Sequence, residues 1–258
     1  MTYIYQSSSP QREDSMQVYY GILLFIITFI GGSIPLWMKG LDDRRMHLLL
    51  AFSGSFLLSI TFLHLLPETF EELGGKAGFY LLGGFFLQLV LQRFTHGLEH
   101  GHVHIHPAGH DHHVPLTSIL LGLTVHAFME GLPLGFNYRE TATEPSLYLA
   151  VAAHKLPEAM LATMLVASTK GKSKALIMLV GFSLITPVAG FLANSLGTSY
   201  YAMSQVVMVL IPIVAGAFIH ISTTIFFESG TKHHMLTWQK IVAMAIGVSI
   251  GIATLLFE

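Results

Sequence analysis

Long apolar runs separated by short polar segments dominate the sequence. A helix that crosses the hydrocarbon core of a bilayer needs roughly 20 apolar residues, and eight runs of about that length occupy nearly the whole chain. They lie at about Met16–Met38, Met46–Leu66, Ala77–Phe94, Pro115–Asn137, Ser146–Ser168, Ala175–Leu196, Ala202–Phe227 and Trp238–Phe257. Lipid offers no partners to backbone N–H and C=O groups, and the runs are too long for barrel strands, so each run is predicted to be a helix.

This pattern predicts an all-α integral membrane protein with eight transmembrane helices. The expected divisions are a polar outer N-terminal tail at 1–15, helices one to three at 16–95, a His-rich cytoplasmic loop at 96–114, helices four and five at 115–168, and helices six to eight at 169–258. The tail has no basic start followed by an apolar core, so no cleavable signal peptide is expected. The predicted location is the cell membrane or an inner membrane, with several crossings.

The composition agrees with this class and limits the chemistry. Hydrophobic residues make up 52% of the chain and charged residues 11%, against about a quarter charged in ordinary soluble domains. Cysteine is absent, so any metal must be held mainly by nitrogen and oxygen ligands. The net charge of −2 is too small to indicate a nucleic-acid partner.

The basic residues predict the orientation. Nine of them lie in or beside the connections that follow helices one, three, five and seven, and three lie on the opposite side. Because Lys and Arg accumulate on the cytoplasmic side, both termini are predicted to face outward. The nine are Lys39, Arg44, Arg45, Arg93, Lys170, Lys172, Lys174, Lys232 and Lys240, and the three are Arg12, Lys76 and Arg139.

Two copies of the pattern His-x-x-x-Glu lie inside apolar runs. His126 and Glu130 occur in helix four, in TVHAFMEGLPLGF, and His154 and Glu158 occur in helix five, in VAAHKLPEAML. Ionisable groups at bilayer depth are costly, so they usually mark an ion pathway or a relay. A spacing of four residues puts imidazole and carboxylate on one helix face, a turn apart. Each pair can therefore reach a single ion.

Counting depth along the two helices brings the pairs together. If the helices are antiparallel neighbours, His126 and Glu158 lie about 16 and 18 Å from the shared outer ends, and Glu130 and His154 about 10 and 12 Å. Each histidine is then level with the other helix's carboxylate, which predicts a cage of two nitrogen and two oxygen donors. Zn²⁺ accepts this mixture in tetrahedral geometry, and Fe²⁺ and Mn²⁺ are alternatives. A lone buried histidine is more often a hydrogen-bonded core residue, but two matching pairs favour a metal site.

These segments resemble a known family. HAFMEGLPLG and HKLPEAMLA look like the paired helix-four and helix-five motifs of the ZIP (Zrt/Irt-like) divalent-metal transporters. The resemblance extends to FLHLLPETFEEL in helix two, the His-rich loop and AGAFIHI in helix seven, and so covers most of the chain. It implies eight helices with both ends outside, and uptake of Zn²⁺ or related ions into the cytoplasm by alternating access.

The chain departs from that family's motifs at two positions. Where ZIP transporters commonly place a second metal ligand directly after each histidine, this chain has Ala127 and Lys155, and helix six has no acidic residue. A second, bridged metal ion is therefore not expected. Lys155 lies three residues before Glu158 on nearly the same face, and the hypothesis is that its ammonium takes the electrostatic place of the second ion. The alternative is that Lys155 points into a watery vestibule.

Other ionisable residues are candidates for an entrance and an exit. His64 and Glu68 repeat the spacing of four near the outer end of helix two and form a candidate entrance site. His220, at a depth of about 27 Å in helix seven, and Glu228, where that helix meets the cytoplasm, are candidate exit ligands. Packed or solvated side chains without a function are the alternative for all four. Eight loop histidines are candidate weak metal ligands or part of a solvated linker: His96, His100, His102, His104, His106, His110, His112 and His113.

The sequence is interpreted as that of a membrane transporter and not an enzyme, with no cofactor. The predicted partners are Zn²⁺ or a related ion (Fe²⁺, Mn²⁺ or Cd²⁺) as the substrate and the lipid bilayer, and a homodimer is left open. One alternative is an intramembrane zinc-dependent hydrolase, in which the same ligands would activate water. The other is a metal exporter, because exporters can also have a His-rich cytoplasmic loop.

Overall fold

The computed structural model describes residues 10–38, 43–98, 116–135, 143–199, 201–228 and 237–257. Over these ranges the chain is helical almost throughout and has no β-strand, which confirms the predicted all-α class. The α-helices are α1 Pro10–Trp37, α2 Asp43–Ile60, α3 Leu66–Leu73, α4 Ala77–Thr95, α5 Leu116–Gly131, α6 Thr143–Lys170, α7 Lys172–Ser199, α8 Tyr201–Glu228 and α9 Trp238–Thr254. Shorter turns of 3₁₀ helix cover Gly74–Lys76, Leu132–Gly135 and Leu255–Phe257.

Two helix ends differ from the apolar pattern. α1 begins at Pro10, six residues before the first apolar run, because proline and polar residues suit the first turns of a helix. α2 does not stop where the second run ends: it passes through a π-helical turn, Thr61–Leu65, into α3. Pro67 has no backbone N–H to donate. The N–H of Leu66, just before it, bonds to the carbonyl of Thr61 five residues back, which is the π-helical pattern.

Six stretches of the described chain are long and apolar enough to cross a membrane. They are Gln17–Trp37, Arg44–Thr95, Leu116–Gly135, Pro145–Lys170, Lys172–Leu196 and Met208–Phe226. The second contains 52 residues and includes both the second and the third predicted helices, and α9, with 17 residues, is a shorter apolar helix. The chain is therefore a multi-pass membrane protein by length and composition, whereas eight crossings and the outward termini stay predictions.

The helices fall into two groups by their contacts. α1 packs on α6 and α7, and α7 also packs on α5 and α6, whereas α2 packs mainly on α9 and α4 mainly on α8. The groups meet where α2 contacts α6, α4 contacts α5 and α7 contacts α8. α6 is the most enclosed of the six candidate spans, with 72% of its most apolar window buried, against 28% for α1. Among the candidate spans of the described chain, α6 is therefore the one most enclosed by its neighbours.

The packing of α4 on α8 depends on a close backbone approach. A Cβ atom at Gly84 would overlap the backbone carbonyl of Ile213, whereas a Cβ at the neighbouring Gly83 would meet nothing within 4 Å. The two neighbouring glycines therefore differ in the space around them, because a side chain fits at Gly83 and not at Gly84.

We expect Gly84→Ala to lower the thermal midpoint of the purified protein in detergent. Forcing a methyl group into a packed contact costs about 1 to 3 kcal/mol. Gly83→Ala is the control, and its midpoint should be unchanged or higher because alanine favours the helix. Equal midpoints for the two variants would contradict the close packing of α4 on α8.

Candidate metal centre

The two His-x-x-x-Glu motifs lie on facing stretches of α5 and α6. His126 and Glu130 are one turn apart near the end of α5, and His154 and Glu158 are one turn apart in the enclosed middle of α6. None of the four residues is more than 1% exposed. Burying four ionisable groups together is costly unless they are paired or bind a cation, so this cluster is the strongest candidate for a functional site.

The ligand atoms of the four residues converge. One atom from each residue lies within 4.8 Å of the other three. Nε2 of His126 is 3.2 Å from Oε1 of Glu130 on its own helix and 3.5 Å from Oε1 of Glu158 on the other. Nε2 of His154 is 3.5 Å from Oε1 of Glu130. Each histidine thus faces the carboxylate of the opposite helix, which is the pairing that the depth count predicts.

These separations suit a shared metal ion. Two ligands that bind Zn²⁺ tetrahedrally at about 2.1 Å are roughly 3.4 Å apart, close to the 3.2 to 3.5 Å between the paired atoms. Within the described part of the chain, Nε2 of His154 and Oε1 of Glu130 and of Glu158 have no hydrogen-bond partner. Buried polar atoms seldom lack partners, and a cation between them would satisfy all of them.

Lys155 lies directly against the cage. Its Nζ is 2.5 Å from Oε2 of Glu130 and 2.6 Å from Oε2 of Glu158, and the residue is 1% exposed. Each glutamate therefore directs one oxygen to the ammonium and the other to the histidines. The ring of Phe182 on α7 lies 4.9 Å from Nζ, a distance at which an aromatic face attracts a cation. The side chain is buried between the glutamates rather than turned to a watery vestibule.

The contact of α5 with α7 holds the first motif in place. The sequence predicts that α5 and α6 are direct neighbours, but their backbones make little contact, and both helices pack on α7. A Cβ at Gly131 would overlap the carbonyl of Thr186, and the hydroxyl of Thr186 donates to the carbonyl of Ala127 at 3.0 Å. The backbone on both sides of Glu130 is thus fixed to α7, which leaves the cage side chains to fill the space between α5 and α6.

Gln88 is a site residue that the sequence analysis misses. It lies on α4, is fully buried, and its Oε1 is 3.4 Å from Nδ1 of His126. The available signal was an amide inside an otherwise apolar helix, in FFLQLVL. Its partner could not be inferred from the sequence, because nothing in the pattern of α4 predicts which neighbouring helix it contacts.

The candidate entrance residues lie in the irregular part of the second span. His64 is buried in the π-helical turn, and its Nε2 is 2.8 Å from Oγ1 of Thr254 on α9. Glu68 is half-buried in the first turn of α3. Among the residues that the structure describes, the cage is the only cluster of three or more potential metal ligands. His64 and Glu68 therefore belong to no second cluster of that size.

The candidate exit residues and the loop histidines are placed only in part. His220 is buried, and its ring packs edge-on against Phe85 with centroids 4.9 Å apart. Phe85 lies near the middle of α4, one turn from Gln88, so His220 is close to the level of the cage rather than at a helix end. Glu228 is the last residue of α8, and its side chain lies outside the described residues. His96 follows α4 with its Nδ1 3.1 Å from the carbonyl of Phe94, and the other seven loop histidines lie outside the described residues.

Comparison with known proteins gives one family. A family model described as ZIP zinc transporter matches residues 14–119 and 116–257, which together include both helix groups and the whole cage. No curated protein matches the chain.

We expect the purified protein to bind Zn²⁺ through the cage, and Glu130→Gln to weaken that binding by about tenfold or more, since a ligand matters at least as much as its supporting residues. Free Zn²⁺ should be buffered with a chelator so that weaker sites in the His-rich loop stay empty. Glu71→Gln, an exposed glutamate on α3, is the matched control and should bind like the unmodified protein. Unchanged affinity in Glu130→Gln would remove Glu130 from the site.

Proposed function

The chain belongs to the ZIP zinc transporter family, and from that premise we propose that it carries Zn²⁺ into the cytoplasm through the cage of His126, Glu130, His154 and Glu158. Members of this family are transporters of divalent metals rather than enzymes, so the hydrolase alternative is set aside. The proposal concerns the choice of ion, the direction of transport and the alternating exposure of the cage to the two sides of the membrane. The convergence of four buried ligand atoms is the observation that carries it.

The donor set suits a transition metal that has lost part of its hydration shell. Carboxylates offset the lost hydration, and imidazoles favour Zn²⁺, Fe²⁺, Mn²⁺ or Cd²⁺ over Mg²⁺ and Ca²⁺, which prefer all-oxygen ligands. With neutral histidines, the two glutamates and Lys155 carry a net charge of −1, so a bound divalent ion brings the cluster to +1. Transport requires an ion that is bound but can still leave, and the positive charge of Lys155 weakens the attraction of the cage for the ion.

Lys155 takes the electrostatic place of a second metal ion in this proposal. Its ammonium contacts one oxygen of each glutamate, which is where a cation bridging both carboxylates would lie. The ammonium offsets the repulsion between the two buried carboxylates, so no second ion is needed for that purpose. One metal ion per protein is therefore expected in the cage.

The path through the membrane follows from the topology that we propose. A helical stretch of 52 residues would be about 78 Å long if straight, more than twice the roughly 30 Å of a hydrocarbon core, which supports two crossings joined at Gly74–Lys76. With α9 as a further crossing, the total is eight, and both termini lie outside. His64 and Glu68 are then entrance residues, and Glu228 and the loop histidines receive the ion on the cytoplasmic side. His220 lies near the level of the cage and is therefore not placed at the exit.

The proposed direction of transport is from the outer side to the cytoplasm. The excess of Lys and Arg on one side supports a cytoplasmic position for the His-rich loop, and the resemblance of HAFMEGLPLG and HKLPEAMLA to the ZIP motifs implies uptake rather than export. Export is the alternative that a vesicle of known orientation distinguishes. A homodimer and the identity of the membrane, cell or inner, stay predictions.

We expect radiolabelled Zn²⁺ to enter vesicles only when the predicted outer face of the protein is exposed to it. Glu158→Gln should reduce the initial rate by about tenfold or more, because the cage then lacks one charged ligand. Glu71→Gln serves as the control and should transport normally. Accumulation in vesicles of the opposite orientation would support export, and equal rates for all three proteins would overturn the proposed role of the cage.

Lys155→Ala tests the role given to the ammonium. Its removal leaves two adjacent buried carboxylates without a cation, so the metal-free variant should melt at a lower temperature than the unmodified protein. Added Zn²⁺ should raise its midpoint by more than it raises that of the unmodified protein, and transport should change. If both the affinity for Zn²⁺ and the transport rate are untouched, Lys155 does not replace a second ion.

A further inference from the structure

Gln88 contacts a cage ligand from outside the helices that form the cage. It lies on α4, which packs mainly on α8, whereas His126 lies on α5, which packs on α7. The amide is fully buried, and its Oε1 faces Nδ1 of His126 at 3.4 Å. Within the described residues, the Nε2 of the same amide has no hydrogen-bond partner. A buried amide with half of its groups unpaired costs stability, so its presence beside the cage requires a reason.

The contact determines which nitrogen of His126 carries the proton. An amide oxygen only accepts hydrogen bonds, so Nδ1 must be the donor. In a neutral imidazole the lone pair then belongs to Nε2. This is the nitrogen that lies 3.2 Å from Glu130 and 3.5 Å from Glu158, inside the cage. The contact with Gln88 thus leaves His126 in the tautomer that can bind a metal.

The second histidine of the cage has no comparable support. Neither Nδ1 nor Nε2 of His154 has a hydrogen-bond partner among the described residues. The two imidazoles therefore differ: Nδ1 of His126 faces an amide oxygen, whereas Nδ1 of His154 faces no hydrogen-bond partner among the described residues. Hydrogen bonds of this kind, from the second nitrogen of a ligating histidine, typically account for 10- to 100-fold in metal affinity.

We propose that Gln88 is a positioning residue of the metal site, which fixes the tautomer and the orientation of His126 and thereby sets the affinity of the cage. The inference rests on the proposed function, since it requires His126 to be a ligand. It assigns to α4 a part in metal binding that its apolar sequence does not suggest.

The test compares Zn²⁺ affinity in the full-length protein at chelator-buffered free zinc. Gln88→Met keeps the length of the side chain and removes the acceptor, and we expect affinity to fall by about 10- to 100-fold. Gln88→Asn keeps an amide but, with a shorter side chain, withdraws it from His126. If the methionine variant does not fold, the same fall in Zn²⁺ affinity is expected of the asparagine variant. The control is Gln17→Met, because Gln17 is also buried but bonds to the carbonyl of Gly190 and not to a cage residue.

Repeating the Gln88→Met substitution in two variants that each lack one histidine of the cage separates a positioning role from a general loss of structure. In His126→Ala, the Gln88→Met change should have no further effect on Zn²⁺ affinity, whereas in His154→Ala it should still weaken binding. Equal losses in both backgrounds, or no loss in the otherwise unmodified protein, overturn the inference and leave the proposed function intact. If the unmodified protein itself binds no Zn²⁺, the proposed function fails and the role of Gln88 fails with it.

Discussion

The mutual neutralisation of charges in the middle of the helix bundle is the constraint on which the rest of the structure depends. Glu130 and Glu158 are both buried, and either carboxylate alone would be too costly at that depth. Lys155 pairs with one oxygen of each, and the second oxygens face the histidines. The ammonium thus offsets part of the carboxylate charge, while the other oxygens and the histidine nitrogens converge where one metal ion could bind. A transporter needs both properties, since its site must be empty for part of each cycle.

Packing around this cluster is arranged so that the charges stay in place. α6, which carries three of the five charged or ligating residues, is the most enclosed of the candidate spans. α7 supports both sides: Phe182 lies against the ammonium, and Thr186 fixes the backbone of α5 beside Glu130. On the opposite side, Gln88 reaches His126 from α4, and this contact joins the two groups of helices at the cage. The contacts that support the site therefore come from α7 and α4, which contribute none of the four cage residues.

Much of the site could be predicted from the sequence because it depends on periodicity. A spacing of four residues places His126 over Glu130 and His154 over Glu158 on any helix, and counting residues from a shared end predicts which of them face each other. The position of Lys155 was predicted only in part. Its spacing from Glu158 puts the two on one face, but its contact with Glu130 comes from another helix and depends on the distance between α5 and α6.

The remaining contacts depend on which helices are neighbours, and a single sequence does not contain that information. The separation of α5 from α6 by side chains, with α7 behind both, could not be inferred from the short connection between them. The contact of His64 with Thr254 joins residues 190 positions apart, and it follows a π-helical turn that the apolar pattern does not reveal. Gln88 stood out as an amide in an apolar helix, but its partner was visible only in the folded chain.

X-ray absorption at the zinc edge reports the ligands of the bound ion directly. With one equivalent of Zn²⁺ bound to the full-length protein, we expect four nitrogen or oxygen ligands at about 2.0 to 2.2 Å, two of them imidazoles. A first shell without imidazole, or one with three or more imidazoles as the His-rich loop would supply, would contradict a cage formed by the two His-x-x-x-Glu motifs.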